Sequence, residues 1–210
     1  MKQSIIWDWN GTLLNDADYC VECMNIVLAN HNLPSITLEI YKDKFTFPVK
    51  DYYAAIGFDF SKVNFEEPAM EFIHHYYSGI DKVSLHHGVS HTLQFFREKG
   101  IQQFSLSAME HQKLISSLGS KGIIKYFEGI KGIDDHYANG KVEMGKQLIN
   151  EYKIEPESTI MVGDTVHDFE VAKELGIDCV LITGGHQSKE RLRAVTQNIV
   201  DFSDLPEYIS

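Results

Sequence analysis

Short apolar segments alternate with segments of helical periodicity through the second half of the chain. Val89, Leu93 and Phe96 are spaced like residues on one face of a helix, and the segment 103–106 that follows is typical of a strand. The alternation continues to a final short apolar segment at residues 199–200. Because strands that alternate with helices usually pair in parallel, the pattern predicts a parallel sheet with helices on both faces.

The region that precedes this alternation has a different character. Residues 5–7 are apolar and predict a first strand, whereas residues 16–84 show no strong strand pattern and are typical of several short helices. We therefore predict an α/β fold with a Rossmann-like, doubly wound parallel sheet and an inserted helical cap domain. Residues 1–15 and 85–210 would form the α/β core, and residues 16–84 would form the cap.

Two of the predicted strands end in acidic residues. Residues 5–7 lead into Asp8, while a later apolar segment leads into Asp164 and, one helical turn on, Asp168. Side chains that follow parallel strands lie at the sheet edge where open α/β folds bind their ligands. The carboxylate oxygens of Asp164 and Asp168 suit a hard cation such as Mg²⁺. The competing interpretation is structural: Asp8 would serve a turn, and Asp164 would cap a helix.

Charge and composition narrow the classes of partner and location. The 210 residues carry a formal net charge of -11, which argues against nucleic acid and anionic membrane as partners, because both require basic surface. No apolar run approaches the roughly 20 residues that span a membrane, and no signal-peptide segment precedes Asp8, so we expect a cytoplasmic protein. Cys20, Cys23 and Cys179 are expected to be reduced thiols.

The order and spacing of these motifs resemble the haloacid dehalogenase superfamily. In this chain the matching positions are Asp8, Gly11, Thr12, Ser107, Lys141, Gly163, Asp164 and Asp168. Ser107 follows a predicted strand and Lys141 precedes a later one, where that family places phosphate-binding residues. The resemblance spans essentially the whole chain, and its layout is similar to phosphoglycolate-phosphatase-like and phosphonatase-like members.

The resemblance implies a hydrolase: a Mg²⁺-dependent phosphatase that cleaves the phosphoric monoester of a small phosphorylated metabolite through an aspartyl-phosphate at Asp8. The expected metal ligands are Asp8, the backbone carbonyl of Asn10, Asp164 and Asp168. The expected catalytic residues are Asp8, Asn10, Ser107 and Lys141. The expected substrate-binding residues are Gly11, Thr12, Ser107, Ala108 and Lys141. We expect a monomer or a small homo-oligomer.

Asn10 departs from the pattern of phosphatases in this superfamily. They normally carry an Asp two residues after the nucleophile, and that Asp protonates the leaving group and later activates water. Asn cannot transfer a proton, and losing such a group typically lowers rates by about 10²–10⁴-fold. Three interpretations stay open: a phosphatase with a good leaving group or a substitute acid, a relative with other chemistry, or a weak or inactive enzyme that binds a phosphorylated ligand. The candidate substitute acids are His167 and His186.

Phosphonatase-like members offer one version of that other chemistry. They also lack this Asp, carry Trp after the nucleophile as Trp9 does here, and use a cap lysine as a Schiff base. The candidate lysines are Lys42, Lys44 and Lys50. The alternative is that all three are exposed side chains without a role in the chemistry. Within the predicted cap, residues 45–50 form either a substrate-facing loop or an anchor of the cap core. Cap closure would exclude water during phosphoryl transfer.

Overall fold

A parallel sheet forms the centre of the molecule. The computed structural model describes residues 2–133 and 140–209. Within them the strands are β1 (Ser4–Trp7), β2 (Gln102–Glu110), β3 (Gly129–Ile133), β4 (Thr159–Gly163), β5 (Asp178–Ile182) and β6 (Ile199–Val200). Their order across the sheet is β3-β2-β1-β4-β5-β6, and every neighbouring pair is parallel. This order confirms the predicted fold class.

Helices surround the sheet. Those in the described part of the chain are α1 (Ala17–Asn30), α2 (Leu38–Lys44), α3 (Val49–Ala55), α4 (Glu66–Gly79), α5 (Val89–Glu98), α6 (His111–Ser120), α7 (Lys141–Tyr152), α8 (Val166–Leu175), α9 (Lys189–Arg193) and α10 (Leu205–Ile209). None of them has the length and apolar character that crossing a bilayer requires.

The predicted cap region is helical. Residues 16–84 contain α1 to α4 and a 3₁₀ turn at Ile80–Lys82, and they contribute no strand to the sheet. Their division from the core as a separate domain stays a prediction. Residues 1 and 210, the outer limits of the predicted core, lie outside the described residues, as do residues 134–139.

The alternation of side chains along β1 explains why helices cover both faces of the sheet. Ile5 and Trp7 belong to a hydrophobic cluster that includes Phe96 of α5. Ile6 belongs to a second cluster, together with Leu148 of α7. Because successive residues of a strand point to opposite faces, burial of all three requires a helical layer on each side.

The central position of β1 places its end beside two other strands. In register, Trp7 pairs with Ser105 of β2 and with Val162 of β4. The Asp8 backbone N–H then donates a hydrogen bond of 2.9 Å to the Val162 carbonyl. The carboxyl ends of β1 and β4 therefore meet at one edge of the sheet, where open α/β folds bind ligands.

β2 is longer than the sequence pattern predicts. We expected a strand at residues 103–106 with Ser107 after its end, but the strand continues to Glu110. Its pairing with β3 shifts register between Leu106 and Glu110, as in a β-bulge. Ser107 therefore lies inside the irregular part of the strand.

A tight turn after β1 brings the chain against Asp164. Gly11 has a φ of +73°, in the left-handed region that favours glycine. A Cβ atom at this position would overlap the Asp164 carboxylate and the His186 ring. Position 11 therefore requires glycine both for its backbone conformation and for the close approach of its neighbours.

We predict that Gly11→Ala lowers the free energy of unfolding by about 3 kcal/mol, because it combines a left-handed backbone with an overlap in a packed region. Gly100→Ala is the matched control, since Gly100 has a φ of +74° but no neighbouring atom within 4 Å of an added Cβ. That variant should lose only about 1 kcal/mol. Urea unfolding measures both, and equal losses would show that Asp164 and His186 do not restrict position 11.

Candidate active site

Asp8 lies at the end of β1 and is 6% exposed. Its Oδ1 forms an ion pair with Lys141 Nζ, and its Oδ2 lies 3.5 Å from Thr12 Oγ1. Burial raises the pKa of Asp8 to about 8; Lys141 opposes this shift, while Asp168 and Asp164 add to it. The ionised form of Asp8 therefore depends on positive charge close by.

Three carboxylates converge at this edge of the sheet. Asp8, Asp164 and Asp168 each offer an oxygen, and these atoms all lie within 4.8 Å of one another. All three side chains are buried. Oxygen donors at this spacing suit a hard divalent cation, which would also compensate their like charges. The structure thus brings together the acidic residues that the sequence predicts as metal ligands.

Lys141 bridges two of these carboxylates. It is the first residue of α7, is 4% exposed, and its Nζ contacts Asp8 and lies 2.6 Å from Asp168 Oδ1. Burial opposes its charge, but Asp168 and Asp8 outweigh that effect and raise the pKa of Lys141. Lys146, which lies later in the same helix, is exposed and lies near Glu143 instead.

Asp168 also holds the start of α8. Its Oδ2 accepts hydrogen bonds from the Thr165 backbone N–H at 3.0 Å and from the Thr165 hydroxyl at 2.7 Å, within a capping box. The N-cap of α8 is Thr165 and not Asp164. The purely structural interpretation of Asp164 as a helix cap is therefore wrong.

Two hydrogen bonds orient Asp164. Its Oδ1 accepts from the Thr12 hydroxyl at 2.7 Å, and its Oδ2 accepts from the His186 backbone N–H at 2.7 Å. Burial raises the pKa of Asp164 to about 6, although His186 opposes the shift. A Cβ atom at Gly185 would overlap the Asp164 side chain, so the loop after β5 can approach this closely only through glycine.

The irregular end of β2 supplies part of the cavity wall above Asp8. Ser107 and Ala108 line the same cavity as Asp8 and Lys141. The Ser107 hydroxyl oxygen accepts a hydrogen bond of 3.1 Å from the Met109 backbone N–H, which orients the side chain. A hydroxyl can accept and donate at once, so the Ser107 O–H can still donate to a ligand oxygen.

Gly11 and Thr12, predicted to bind substrate, are not among the described residues that line this cavity. The Gly11 backbone N–H donates to Asp16 Oδ1 at 2.7 Å, and the Thr12 hydroxyl donates to Asp164. The structure therefore uses these donors to hold acidic side chains in place and does not direct them at the cavity.

Asn10 lines the cavity and binds a fourth buried carboxylate. Its Nδ2 donates to Asp16 Oδ2 at 2.9 Å and to the Tyr76 hydroxyl oxygen at 2.6 Å. The Tyr76 hydroxyl itself donates to Asp16 at 2.6 Å. Asn10, Asp16 and Tyr76 thus form a closed hydrogen-bonded group that joins the first turn to α4.

Asp16 is a site residue that no sequence pattern indicates. It precedes α1 like an ordinary N-cap, yet its side chain makes no capping hydrogen bond. Instead it pairs with His186 Nε2 at 3.3 Å, and His186 Nδ1 lies 2.8 Å from the Tyr41 hydroxyl. Burial opposes both charges, but their mutual attraction lowers the pKa of Asp16 and raises that of His186 to about 9.

Asp16, Cys20 and His186 form a second group of possible metal ligands. Its Asp and His already form an ion pair, and burial raises the pKa of the Cys20 thiol well above its ordinary value. Because the thiolate is the form that binds metal, this group is poorly suited to a cation. The three carboxylates around Lys141 offer the better fit.

The family follows from comparison with known proteins. Residues 5–182 match the model of the haloacid dehalogenase-like hydrolases. The chain belongs to this family. A curated relative from Methanocaldococcus jannaschii, named a soluble P-type ATPase-like phosphatase, is 28% identical over 119 residues, which is 56% of this chain and 40% of the relative. This chain thus spans about two fifths of that relative's length.

Solved structures share the complete fold. A haloacid dehalogenase-like family hydrolase from Streptococcus pneumoniae has a TM-score of 0.85 at 19% identity, with 100% of this chain and 99% of that chain covered. A predicted phosphoglycolate phosphatase from Haemophilus somnus has a TM-score of 0.78 at 17% identity, with 100% and 98% covered. At these identities the likeness shows the fold of the family.

In this haloacid dehalogenase-like hydrolase Asp8 and Asp168 line a cavity of about 820 Å³. Phe45, Phe47 and Val49 line it; they belong to the segment at residues 45–50, whose last two residues begin α3. The Phe45 carbonyl also accepts a hydrogen bond of 2.9 Å from Gln187 Nε2. This segment therefore lines the cavity and also anchors the helical region to the loop after β5, while a contact with substrate stays a prediction.

The lysines considered for Schiff-base chemistry are not among the described residues of the cavity wall, where Lys141 is the one lysine. Lys42 donates to the Gly184 carbonyl at 3.1 Å. Lys44 pairs with the neighbouring aspartate, and Lys50 lies over an aromatic ring. This placement weighs against the phosphonatase alternative within the family.

We predict that Lys141→Met lowers the free energy of unfolding in metal-free buffer by about 3 kcal/mol, because two carboxylates would remain buried without their cation. Lys146→Met, on an exposed position of the same helix, is the control and should change stability by less than about 0.5 kcal/mol. Urea unfolding in the presence of EDTA distinguishes them. Equal stability of the two variants would contradict a compensating role for Lys141.

Proposed function

We propose that this protein is a phosphatase that hydrolyses the phosphate monoester of a small metabolite through an aspartyl-phosphate on Asp8. The observation that carries the proposal is the convergence of Asp8, Lys141 and Ser107 on one cavity, beside two further carboxylates. Membership of the hydrolase family and the phosphatase name of a curated relative support it.

Asp8 is the proposed nucleophile. An oxygen of its carboxylate forms a bond to phosphorus while the ester P–O bond breaks, and the electron pair leaves with the alcohol oxygen. Water then attacks the phosphoryl group of the aspartyl-phosphate, which releases phosphate and restores the carboxylate. Burial of Asp8 favours this chemistry, because few water molecules compete with the phosphoryl group for its oxygens.

Lys141 and Ser107 are the proposed donors to the phosphoryl oxygens. An ammonium group has three N–H donors, and the contacts with Asp8 and Asp168 leave one for a ligand. Negative charge spreads over the phosphoryl oxygens in the transition state, and donors that are already in position stabilise it without reorganisation.

The acidic residues fit a Mg²⁺ ion. Asp8, Asp164 and the backbone carbonyl of Asn10 would be its ligands, with Asp168 bound directly or through water. When bound, the cation supplies charge neutralisation between the carboxylates and the phosphate. The contribution of the protein is to hold the ligand oxygens, as Thr12 and the His186 backbone do for Asp164.

Asn10 favours a second candidate function, that of a weakly active or inactive protein that binds a phosphorylated ligand. Its amide cannot transfer a proton, and it is held by Asp16 and Tyr76. For either function we propose a cytoplasmic protein, a monomer or small homo-oligomer, without a nucleic-acid or membrane partner; the net charge of -11 supports this proposal.

We predict that Asp8→Asn abolishes phosphate release from p-nitrophenyl phosphate in the presence of MgCl₂, because a carboxamide cannot form the aspartyl-phosphate. Asp204→Asn removes an exposed carboxylate outside the cavity wall and should keep the activity of the unmodified protein. Release that survives in Asp8→Asn would exclude Asp8 as the nucleophile. Absence of release from the unmodified protein would favour the binding function.

We predict that Asp164→Asn removes the stabilisation of the fold by Mg²⁺, because it neutralises a carboxylate that would bind the cation. At a concentration of about 100 times Kd, a cation that binds the folded state adds about 2.7 kcal/mol, which raises Tm. Thermal unfolding with MgCl₂ or EDTA measures this rise without reference to activity. Asp204→Asn should retain it, and an equal rise in both variants would exclude Asp164 as a ligand.

A further inference from the structure

The walls of the cavity above Asp8 are unusually rich in aromatic side chains for a site that would bind a phosphorylated acid. Aromatic side chains of the helical region and its loops line it, among them Phe45, Phe47, Phe65, Phe72, Tyr76 and Tyr77. Its volume of about 820 Å³ is in the range that accommodates drug-sized ligands. A two-carbon acid such as phosphoglycolate would leave most of this apolar surface without contact.

The described part of the cavity wall offers no free cation for a second anionic group of a substrate. Apart from Lys141, the basic side chains among its described lining residues are two histidines. His186 is paired with Asp16, and the His167 ring packs against Phe47 with 4.7 Å between ring centres. Burying a carboxylate without a partner is unfavourable, so an anionic tail would be excluded.

Acidic residues belong to the cavity wall instead, since Glu66 and Glu110 are among its described lining residues. Lys113, whose Nζ lies 5.3 Å from the centre of the Tyr77 ring, is not among them. The negative charge of the wall therefore repels an anionic tail and leaves an uncharged aromatic body unaffected.

Asn10 supplies an independent constraint on the leaving group. An alkyl alcohol leaves phosphorus as a strongly basic alkoxide and requires a proton donor, which an amide is not. A phenol, with a pKa of about 10, leaves as a far more stable anion. The neighbouring Tyr76 hydroxyl is already committed to Asp16. Of the candidate substitute acids, His186 is paired with Asp16, and the His167 ring packs against an aromatic ring of the wall. The site therefore suits an ester whose oxygen departs without protonation.

From these observations together we infer that the substrate is an aryl phosphate, which is the phosphate ester of a phenol, and that its aromatic body is uncharged. This inference rests on the phosphatase activity proposed above. Asp8 forms the bond to phosphorus, the aryl P–O bond breaks, and its electron pair leaves on the phenolate oxygen. The phenolate takes a proton from solvent, and water hydrolyses the aspartyl-phosphate, so that the products are a phenol and inorganic phosphate.

The first test compares kcat/KM of the full chain with Mg²⁺ for naphthyl, phenyl and benzyl phosphate and for phosphoglycolate. Naphthyl phosphate should exceed phenyl phosphate by about tenfold, because the second ring fills more of the apolar cavity. Benzyl phosphate, an aromatic ester of an alkyl alcohol, should fall below phenyl phosphate by about 10²-fold or more. Phosphoglycolate turnover equal to or above that of phenyl phosphate would overturn the inference, as would equal turnover of benzyl and phenyl phosphate.

The second test removes one aromatic wall. Phe47→Ala should lower kcat/KM for naphthyl phosphate by about tenfold and should change it for acetyl phosphate by less than about twofold, because acetyl phosphate has no aromatic body. Phe60→Ala is the matched control, since Phe60 packs against Phe58 and Phe65 and does not line the cavity. An equal loss on both substrates in Phe47→Ala would show that this ring does not hold the substrate.

The two proposals fail in different ways. If no substrate, acetyl phosphate included, gives phosphate release that depends on Asp8, the proposed phosphatase function is wrong. If release depends on Asp8 but favours phosphoglycolate, the phosphatase function stands and only the aryl phosphate inference is wrong.

Discussion

The structure depends on burying three carboxylates, whose oxygens lie within 4.8 Å of one another and two of which contact a single lysine. Desolvation and mutual repulsion both oppose this arrangement, and Lys141 compensates only part of the charge. The fold holds the group together through the parallel register of β1 with β2 and β4, the tight turn at Gly11, and the capping box that Asp168 forms at the start of α8. The remaining negative charge is the physical reason why this place suits a divalent cation.

One loop couples this charged group to the helical region. The backbone of His186 holds Asp164, while its ring contacts Asp16 before α1 and the hydroxyl of Tyr41 in α2. The Ser188 N–H also donates to the carbonyl of a residue in α2, at 3.2 Å. A displacement of α2 is therefore transmitted to the loop that orients Asp164. The cavity wall and the acidic site are therefore connected through this loop by direct contacts.

Local patterns account for most of the fold and for part of the site. Apolar spacing locates β1 and β4, and parallel pairing then requires the ends of these strands, with Asp8 and Asp164, to meet. The position of Ser107 inside a bulge could not be predicted, because the bulge arises from pairing with β3. Asp16 could not be identified either, since its partner His186 lies far along the chain and its local sequence is that of an N-cap. Contacts of this kind exist only once the chain has folded.

The burial of Asp16 explains why position 10 carries an amide. Asn10 Nδ2 donates to Asp16 at 2.9 Å, where a carboxylate would repel its neighbour in a region that already contains Asp8, Asp164 and Asp168. The amide replaces repulsion by a hydrogen bond, but it cannot transfer a proton. For the aryl phosphate hydrolysis that we infer, the consequence is that the departing oxygen carries its negative charge without a proton from position 10. A phenol stabilises that charge far better than an alkyl alcohol, so the electrostatics that fix the first turn support the inferred preference for aryl esters.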